Sequence, residues 1–481
     1  MYQRKCPFHA PKDNVDFDNL PGFMERGAIR VFHCISRHIV QGGAFESRNP
    51  LMKVAAFFLY FIDLFWAGAD KQYYVKRQAI FGPNYISTLS LVLSKYDPDA
   101  NALDAIDTRL LKIPQRRGFF LGSTRLNRNR VPYGTINGER GYLVSPLHAS
   151  DPGATINPDL PEGQPDHNVL RQYLMDNVLG EDDKLPDILA RCSDPKAQVL
   201  LKEFGEKAKG LIDKDSLSPI LEDFLARYLT YVIFDCPIKT IPVELLHDTF
   251  YKGGKYVLYL YGPSWISRIY GDPKPVRDNL DKVCEYFSEH SSVLRNVQAG
   301  PSGLDKPALL EMLNLIVGIA AFQGTKALAL TAMVQMPKGY AKTVAAADAA
   351  GSSKLRNAIL ECARLDTPVT GAHLIVDNAD GLTTQIGGKT LTFRRGTVVF
   401  TGFTIANVDA ERFPNPFVFD PENRDFSKLT SFNSVGESTN LQAPRICPGR
   451  EIAIETGAQL IKAKTTAEAE ACLTCYSSIN Y

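Results

Sequence analysis

The heptapeptide Pro444-Arg445-Ile446-Cys447-Pro448-Gly449-Arg450 constrains this chain more than any other stretch, because it fixes a cysteine at a helix start. Pro448 suits a first helical position, where its missing N–H costs nothing and its φ is already helical. The apolar run from Glu451 to Ile461 predicts the helix that follows. A cysteine placed there meets unpaired backbone N–H groups and the positive end of the helix dipole, both of which favour a thiolate. Alone, the feature barely rises above the usual fate of a lone cysteine, which is to be one more buried apolar side chain.

A second feature stands upstream in Glu361-Cys362-Ala363-Arg364. On a helix, Glu361 and Arg364 are three residues apart and meet on one face. As an exposed pair they would contribute little. Leu355, Ile359, Leu360 and Leu365 surround them in sequence, which predicts a partly buried, bidentate contact. Between the two features lies Phe413-Pro-Asn-Pro-Phe-Val-Phe-Asp-Pro421.

A Glu-x-x-Arg helix, this Pro- and Phe-rich run and then Arg-Ile-Cys-Pro-Gly-Arg, in that order, resemble the cytochrome P-450 superfamily. The resemblance implies one mainly α haem-thiolate domain with a small β region, here expected near Thr383–Phe403 with Gly387-Gly388 as a hairpin turn. It implies haem b as cofactor, with Cys447 as the iron ligand and Arg445 beside it. Glu361 and Arg364 would hold the scaffold under the cysteine. A thiolate is the ligand that haem iron takes where an O–O bond is to be broken.

The totals agree with an intracellular enzyme. With 481 residues and 44% hydrophobic content a large core is available, and a net charge of +1 makes nucleic acid a poor guess as partner. Nine scattered cysteines, an odd number, read as reduced thiols of a cytoplasmic or organellar protein that is not secreted. Cys472-x-x-Cys475 has no second pair nearby to complete a zinc site and reads as two thiols. The apolar run Val54 to Ile62, bracketed by Lys53 and Asp63, is too short to span a bilayer, for which about 20 residues are needed. It reads as a buried or membrane-surface helix. Residues 1–69 are therefore expected to form an N-terminal extension, and 70–481 the catalytic domain.

Lys71 to Gly82 predicts an amphipathic helix, and Ile86 to Leu93 a strand. Residues 115–168 form a long Gly-, Pro- and Arg-rich loop, of a length usually tied to function. It closes at Pro165-Asp-His167, where a helix begins on which His167 and Arg171 lie one turn apart and could grip an anion. Two details of this region, Phe120-Leu-Gly-Ser123 and Pro165-Asp-His167, resemble the clan of these enzymes that metabolises fatty-acid hydroperoxides. So does the lengthened segment Ser431 to Cys447. That clan includes allene oxide synthases, hydroperoxide lyases, divinyl ether synthases and epoxyalcohol synthases. The resemblance implies a polyunsaturated fatty-acid hydroperoxide as substrate, no reductase partner, and His167 and Arg171 as partners of the haem propionates.

The apolar stretch Asp305 to Met336 predicts a long helix through the core, corresponding to the distal helix of the family. Oxygen-activating members carry an acid and then Thr on it. Here Thr325 is present and Gly324 takes the acid's place. A hydroperoxide arrives with its O–O bond already formed, so neither external electrons nor that acid is required. The clan's usual Asn-x-Phe-Gly-Gly is altered: Ala320 stands at the Asn position and Gln323 at the first Gly. Either Gln323 supplies an amide from a nearby direction, or no polar group holds the peroxide. Phe120, Ala320, Gln323 and Thr325 are the expected distal residues. Two further departures are Asn423 where the family has Arg, with Arg424 one place on, and the short stretch after Cys447, in which Ala467 onward reads as polar helix or tail. A reductase-fed monooxygenase, a peroxygenase using H₂O₂ and a catalytically degenerate haem-binding relative are the competing readings.

Overall fold

The computed structural model describes residues 173–179, 184–252, 274–295, 297, 321–348, 353–368, 403–409, 412–432 and 447–478, strand residues within 84–140 and 372–401, and parts of 23–34 and Leu51. Its body is helical. The helices α1 (Lys184–Cys192), α2 (Pro195–Ala208), α3 (Lys214–Phe234), α4 (Lys274–His290), α5 (Gln323–Gln335), α6 (Lys338–Asp348), α7 (Lys354–Leu365) and α8 (Arg450–Ser478) follow in order.

Local chemistry sets the ends of these helices. Asp194 caps α2 by accepting the Ala197 N–H at 2.8 Å, with Pro195 at the start of the helix. Asp213 caps α3 in the same way, through Ser216 N–H at 2.8 Å. A side-chain oxygen at this position satisfies one of the first-turn donors that the helix itself leaves unpaired. At the other end of α3, Asp235 turns left-handed at φ 52° and returns its N–H to Tyr231 O.

α2, α3, α5 and α8 close a ring of contacts, α2 on α3, α3 on α5, α5 on α8 and α8 on α2. Leu200, Phe204, Leu225, Leu229, Phe322, Ala329, Ile452 and Leu460 belong to the core inside it. A second core lies between α5, α7 and α8, from Leu328, Ala332, Leu355, Ile359, Ile454 and Ile461. α5 and α8 therefore contribute to both cores and bind them together. Where α2 meets α8, a Cβ on Gly205 would stand 2.5 Å from the carbonyl oxygen of Ala463, so only glycine allows that approach.

The β structure is small, as expected. β4 (Thr135–Ile136) pairs antiparallel with β5 (Glu139–Arg140). β7 (Leu382–Ile386) and β8 (Lys389–Phe393) also pair antiparallel, and the register Ile386 to Lys389 leaves two residues, the expected Gly387-Gly388, between them. A five-stranded sheet has the order β1 (Asn84–Ile86), β2 (Ser90–Leu93), β9 (Val398–Thr401), β6 (Ala372–Val376), β3 (Leu111–Lys112). The strand expected over 86–93 is thus two antiparallel strands, with Ile86 opposite Leu91 and polar Ser87 and Thr88 in the intervening sequence. β2 and β9 run parallel, joining the early and late parts of the chain. The helix expected over 71–82, the segment 54–62 and the division near residue 70 lie outside the described residues.

Candidate active site

Glu361 and Arg364 on α7 form the contact that the sequence predicts, and both are 0% exposed. The guanidinium is bidentate, Nε to Oε2 at 2.7 Å and Nη2 to Oε1 at 2.8 Å. Its remaining Nη1 donates to Asn407 O at 2.8 Å and Pro416 O at 2.6 Å, and Phe413 lies against its face at 5.1 Å. Glu361 Oε1 also accepts the Asp420 N–H at 3.1 Å and Arg424 Nε at 3.4 Å. Arg424 donates as well to Val418 O at 2.8 Å and Asn415 O at 3.0 Å. The second arginine of the network is therefore Arg424, one place beyond the simplest alignment, while Asn423 bonds Asp420. Two fully buried charges hold here because nearly every donor and acceptor is satisfied.

The network continues towards the cysteine through Asn407. Its Nδ2 donates to Ser431 Oγ at 2.8 Å and Thr367 Oγ1 at 3.1 Å, and its Oδ1 accepts from Thr430 N at 2.9 Å and Thr430 Oγ1 at 2.8 Å. Ser431 Oγ donates to Ala363 O at 2.7 Å, back on α7. The next residue, Phe432, accepts the backbone N–H of Cys447 at 2.8 Å, and the Arg450 guanidinium lies 5.3 Å from its ring centre. Cys447 is half-buried and leads through Pro448 and Gly449 into α8. A bidentate pair from Arg356 to Glu451 ties α7 to the first turn of α8.

On α5, Thr325 is buried, and a Cβ on Gly324 would meet nothing within 4 Å. The same holds at Gly449 beside the cysteine. Among the described residues, both backbones border open space. Gln323 is turned to another task, since its Nε2 donates to Phe250 O at 2.8 Å and Tyr251 O at 3.3 Å, in the π-helical segment His247–Lys252. At about 100° per residue, Gln323 and Thr325 point roughly 200° apart around the helix. A surface that Thr325 lines is therefore not the one that Gln323 faces.

The same edge of α5 carries a cluster that the sequence gave no reason to expect. Glu222 on α3 pairs with Lys326 and accepts from His247 Nε2 at 2.8 Å. The Lys326 ammonium lies 5.6 Å from the Tyr251 ring centre. Burial pushes the Glu222 carboxyl up, but hydrogen bonds from Lys326 and His247 outweigh it and the net shift is downward. Glu222 and Lys326 are 104 positions apart, so no local pattern announces the pair. Phe120, His167, Arg171, Ala320 and Arg445 lie outside the described residues.

No family model matches the chain, and no curated protein matches it in sequence. Solved structures do match. The retinoic acid-bound cyanobacterial CYP120A1 aligns with TM-score 0.55 at 14% identity, covering 83% of this chain and 87% of its own. P450BioI in complex with hexadec-9Z-enoic acid-ligated acyl carrier protein aligns at 0.53 and 16%, covering 86% and 92%. A mutant of P450 EryK in complex with erythromycin B aligns at 0.51 and 15%, covering 84% and 88%. The chain has the cytochrome P450 fold. The buried Glu361–Arg364 pair is joined to the Cys447 backbone through Asn407, Ser431 and Phe432. Among the described residues, no helix is long and apolar enough to cross a membrane.

Proposed function

We propose that the chain is a haem-thiolate enzyme that rearranges polyunsaturated fatty-acid hydroperoxides without external electrons. The observation that carries the haem part is the tether from Cys447 N–H to Phe432 O at 2.8 Å, which fixes the cysteine to the buried α7 network at the start of α8. Cys447 is half-buried, so its sulfur is open to a group bound beside the start of α8. Cys447 would ligate the iron, with Arg445 nearby and His167 and Arg171 on the propionates. Haem b bound there would supply an iron able to cleave the O–O bond of a hydroperoxide. The residues 70–481 would form this catalytic domain, behind an extension of residues 1–69.

The choice of hydroperoxide over O₂ rests on α5. From Gln323 to Gln335 this helix carries no carboxylate, and Gly324 precedes Thr325. A proton relay of acid and Thr is therefore absent from this segment, and a substrate that brings its own O–O bond needs none. Both recorded bonds of the Gln323 amide nitrogen go to the 247–252 segment, which supports the second alternative for the peroxide. Gln323 then acts by holding that segment, and Phe120, Ala320 and Thr325 shape the pocket mainly by their bulk. The fold takes unsaturated acids in two of the neighbours, which is compatible with a fatty-acid derivative here.

The test is purified haem-loaded protein with linoleate hydroperoxide and no reductant, followed by mass analysis. Rearranged products, isomeric with the substrate or lacking one water, are expected. Turnover only with NADPH and a reductase would instead assign a monooxygenase, and oxygen insertion from H₂O₂ a peroxygenase.

A further inference from the structure

The turn on which α5 begins is held from one side only. Ala321 and Phe322 are π-helical, and the chain tightens to α-helix at Gln323, directly before Gly324 and Thr325. The facing segment His247–Lys252 is π-helical as well. Its late carbonyls, Phe250 O and Tyr251 O, take the Gln323 amide, as carbonyls at a helix end need a partner from outside. Phe322 packs there too, 5.1 Å from the Phe250 ring centre and 6.0 Å from that of Tyr251. At about 100° per residue, Phe322, Gln323 and Lys326 share an arc of roughly 100°, and Thr325 lies outside it. Glu222 completes the hold from α3. Its Oε1 pairs with Lys326, and its Oε2 accepts from His247 Nε2 at 2.8 Å. The Glu222 and Lys326 side chains are only 17% and 18% exposed, so the pair is less screened than one at an open surface. Seating the segment also has a cost, because the Tyr251 hydroxyl is buried there without a partner.

We propose that Glu222 is the positioning residue of this turn: with one carboxylate it holds Lys326 on α5 and His247 on the facing segment, clamps the two together, and so fixes where Gly324 and Thr325 stand. Its bearing on the reaction rests on the reading of α5 as the distal helix, whereas the clamp is a property of the chain itself. Removing the carboxylate releases both stretches at once. Removing the Lys326 charge releases α5 and leaves His247 on Glu222. A pair that merely added stability would single out neither stretch.

The experiment is amide hydrogen exchange of the full chain, followed in peptides covering 245–252 and 322–330, with α2 as the internal control. Glu222→Gln should speed exchange about tenfold or more in both stretches and leave α2 unchanged, since a bond to a charged group is lost at each. Lys326→Gln should speed 322–330 more than 245–252, and Lys326→Arg, which keeps the charge, should stay at the wild-type rate. In the haem-loaded enzyme with linoleate hydroperoxide, Glu222→Gln should lower kcat about tenfold with little change in KM, as misplacement of a distal turn does. A wild type that turns nothing over would overturn the hydroperoxide reading, and exchange alone then decides the clamp. Unchanged exchange at 322–330 in Glu222→Gln, equal acceleration in α2, or a Lys326→Arg variant as loose as Lys326→Gln would overturn the proposal.

Discussion

The backbone N–H of Cys447 donates to the carbonyl oxygen of Phe432 at 2.8 Å, across a separation of fifteen positions in sequence. Phe432 follows Thr430 and Ser431, which Asn407 and Ala363 hold in place. A cysteine that would otherwise be set only by the start of α8 is thereby set by the buried Glu361–Arg364 pair as well.

Asn407 is the junction of that arrangement, 0% exposed and bonded on both sides of its amide. Asn407→Ala strands the Thr430 N–H in the interior and removes one bond from each of the Thr430, Ser431 and Thr367 hydroxyls, which keep Phe403 O, Ala363 O and Arg364 O. A loss of about 2–4 kcal/mol is expected, since each unsatisfied buried group costs about 1–3. Guanidinium unfolding checks it, and a change under about 1 kcal/mol, the net worth of one ordinary hydrogen bond, would contradict it.

Glu361→Gln leaves Arg364 and Arg424 buried with their countercharge removed. Breaking one partner of a buried pair costs about 3–5 kcal/mol. The variant should melt well below the wild type, and so should Arg364→Lys, because an ammonium lacks the planar fork that reaches Glu361, Asn407 and Pro416 together.

Two glycine substitutions should act in opposite directions. Gly205→Ala drives a Cβ against the backbone oxygen of Ala463 and should cost about 1–3 kcal/mol, the usual range for overpacking. Gly339→Ala in α6 meets nothing within 4 Å and should stabilise by about 0.5–1 kcal/mol by reducing unfolded-chain freedom. Thermal melts of the two variants compare them directly.

Acid sensitivity should be traceable to Glu203 on α2. Hydrogen bonds from Arg227, then Lys207, hold its carboxyl down at about 2. A carboxyl whose pKa is lowered by folding stabilises the protein above its ordinary titration range, and that stabilisation is lost as pH falls towards about 2. Glu203→Gln should therefore lower the melting temperature at pH 7 slightly and flatten its fall between pH about 4.5 and about 2, the effect being small for a half-exposed group. An unchanged acid limb would contradict it.

Legibility in the sequence followed the range of the interaction. Glu361 and Arg364 are three positions apart, so helical geometry announced them, and the β7–β8 hairpin was marked by its glycine pair. The polar reading of Ala467 onward left helix and tail open, and the helix runs to Ser478. Ala and Glu favour it intrinsically, Ala467 is 5% exposed against α2, and Glu468 reaches Lys464 and the Gly210 N–H. Glu222, His247 and Lys326 were illegible because three separate elements bring them together. The bonds of the Gln323 amide nitrogen to Phe250 O and Tyr251 O were likewise illegible, since 73 and 72 positions separate them.

The account depends above all on the sulfur of Cys447 binding haem iron. The most direct measurement is the absorption spectrum of the reduced, carbon monoxide-treated protein, taken on wild type and on Cys447→Ala with folding checked by circular dichroism. The account predicts the red-shifted band of thiolate-ligated haem in the wild type and its disappearance in the folded variant. A folded wild type without that band, or a variant that keeps it, would contradict the account.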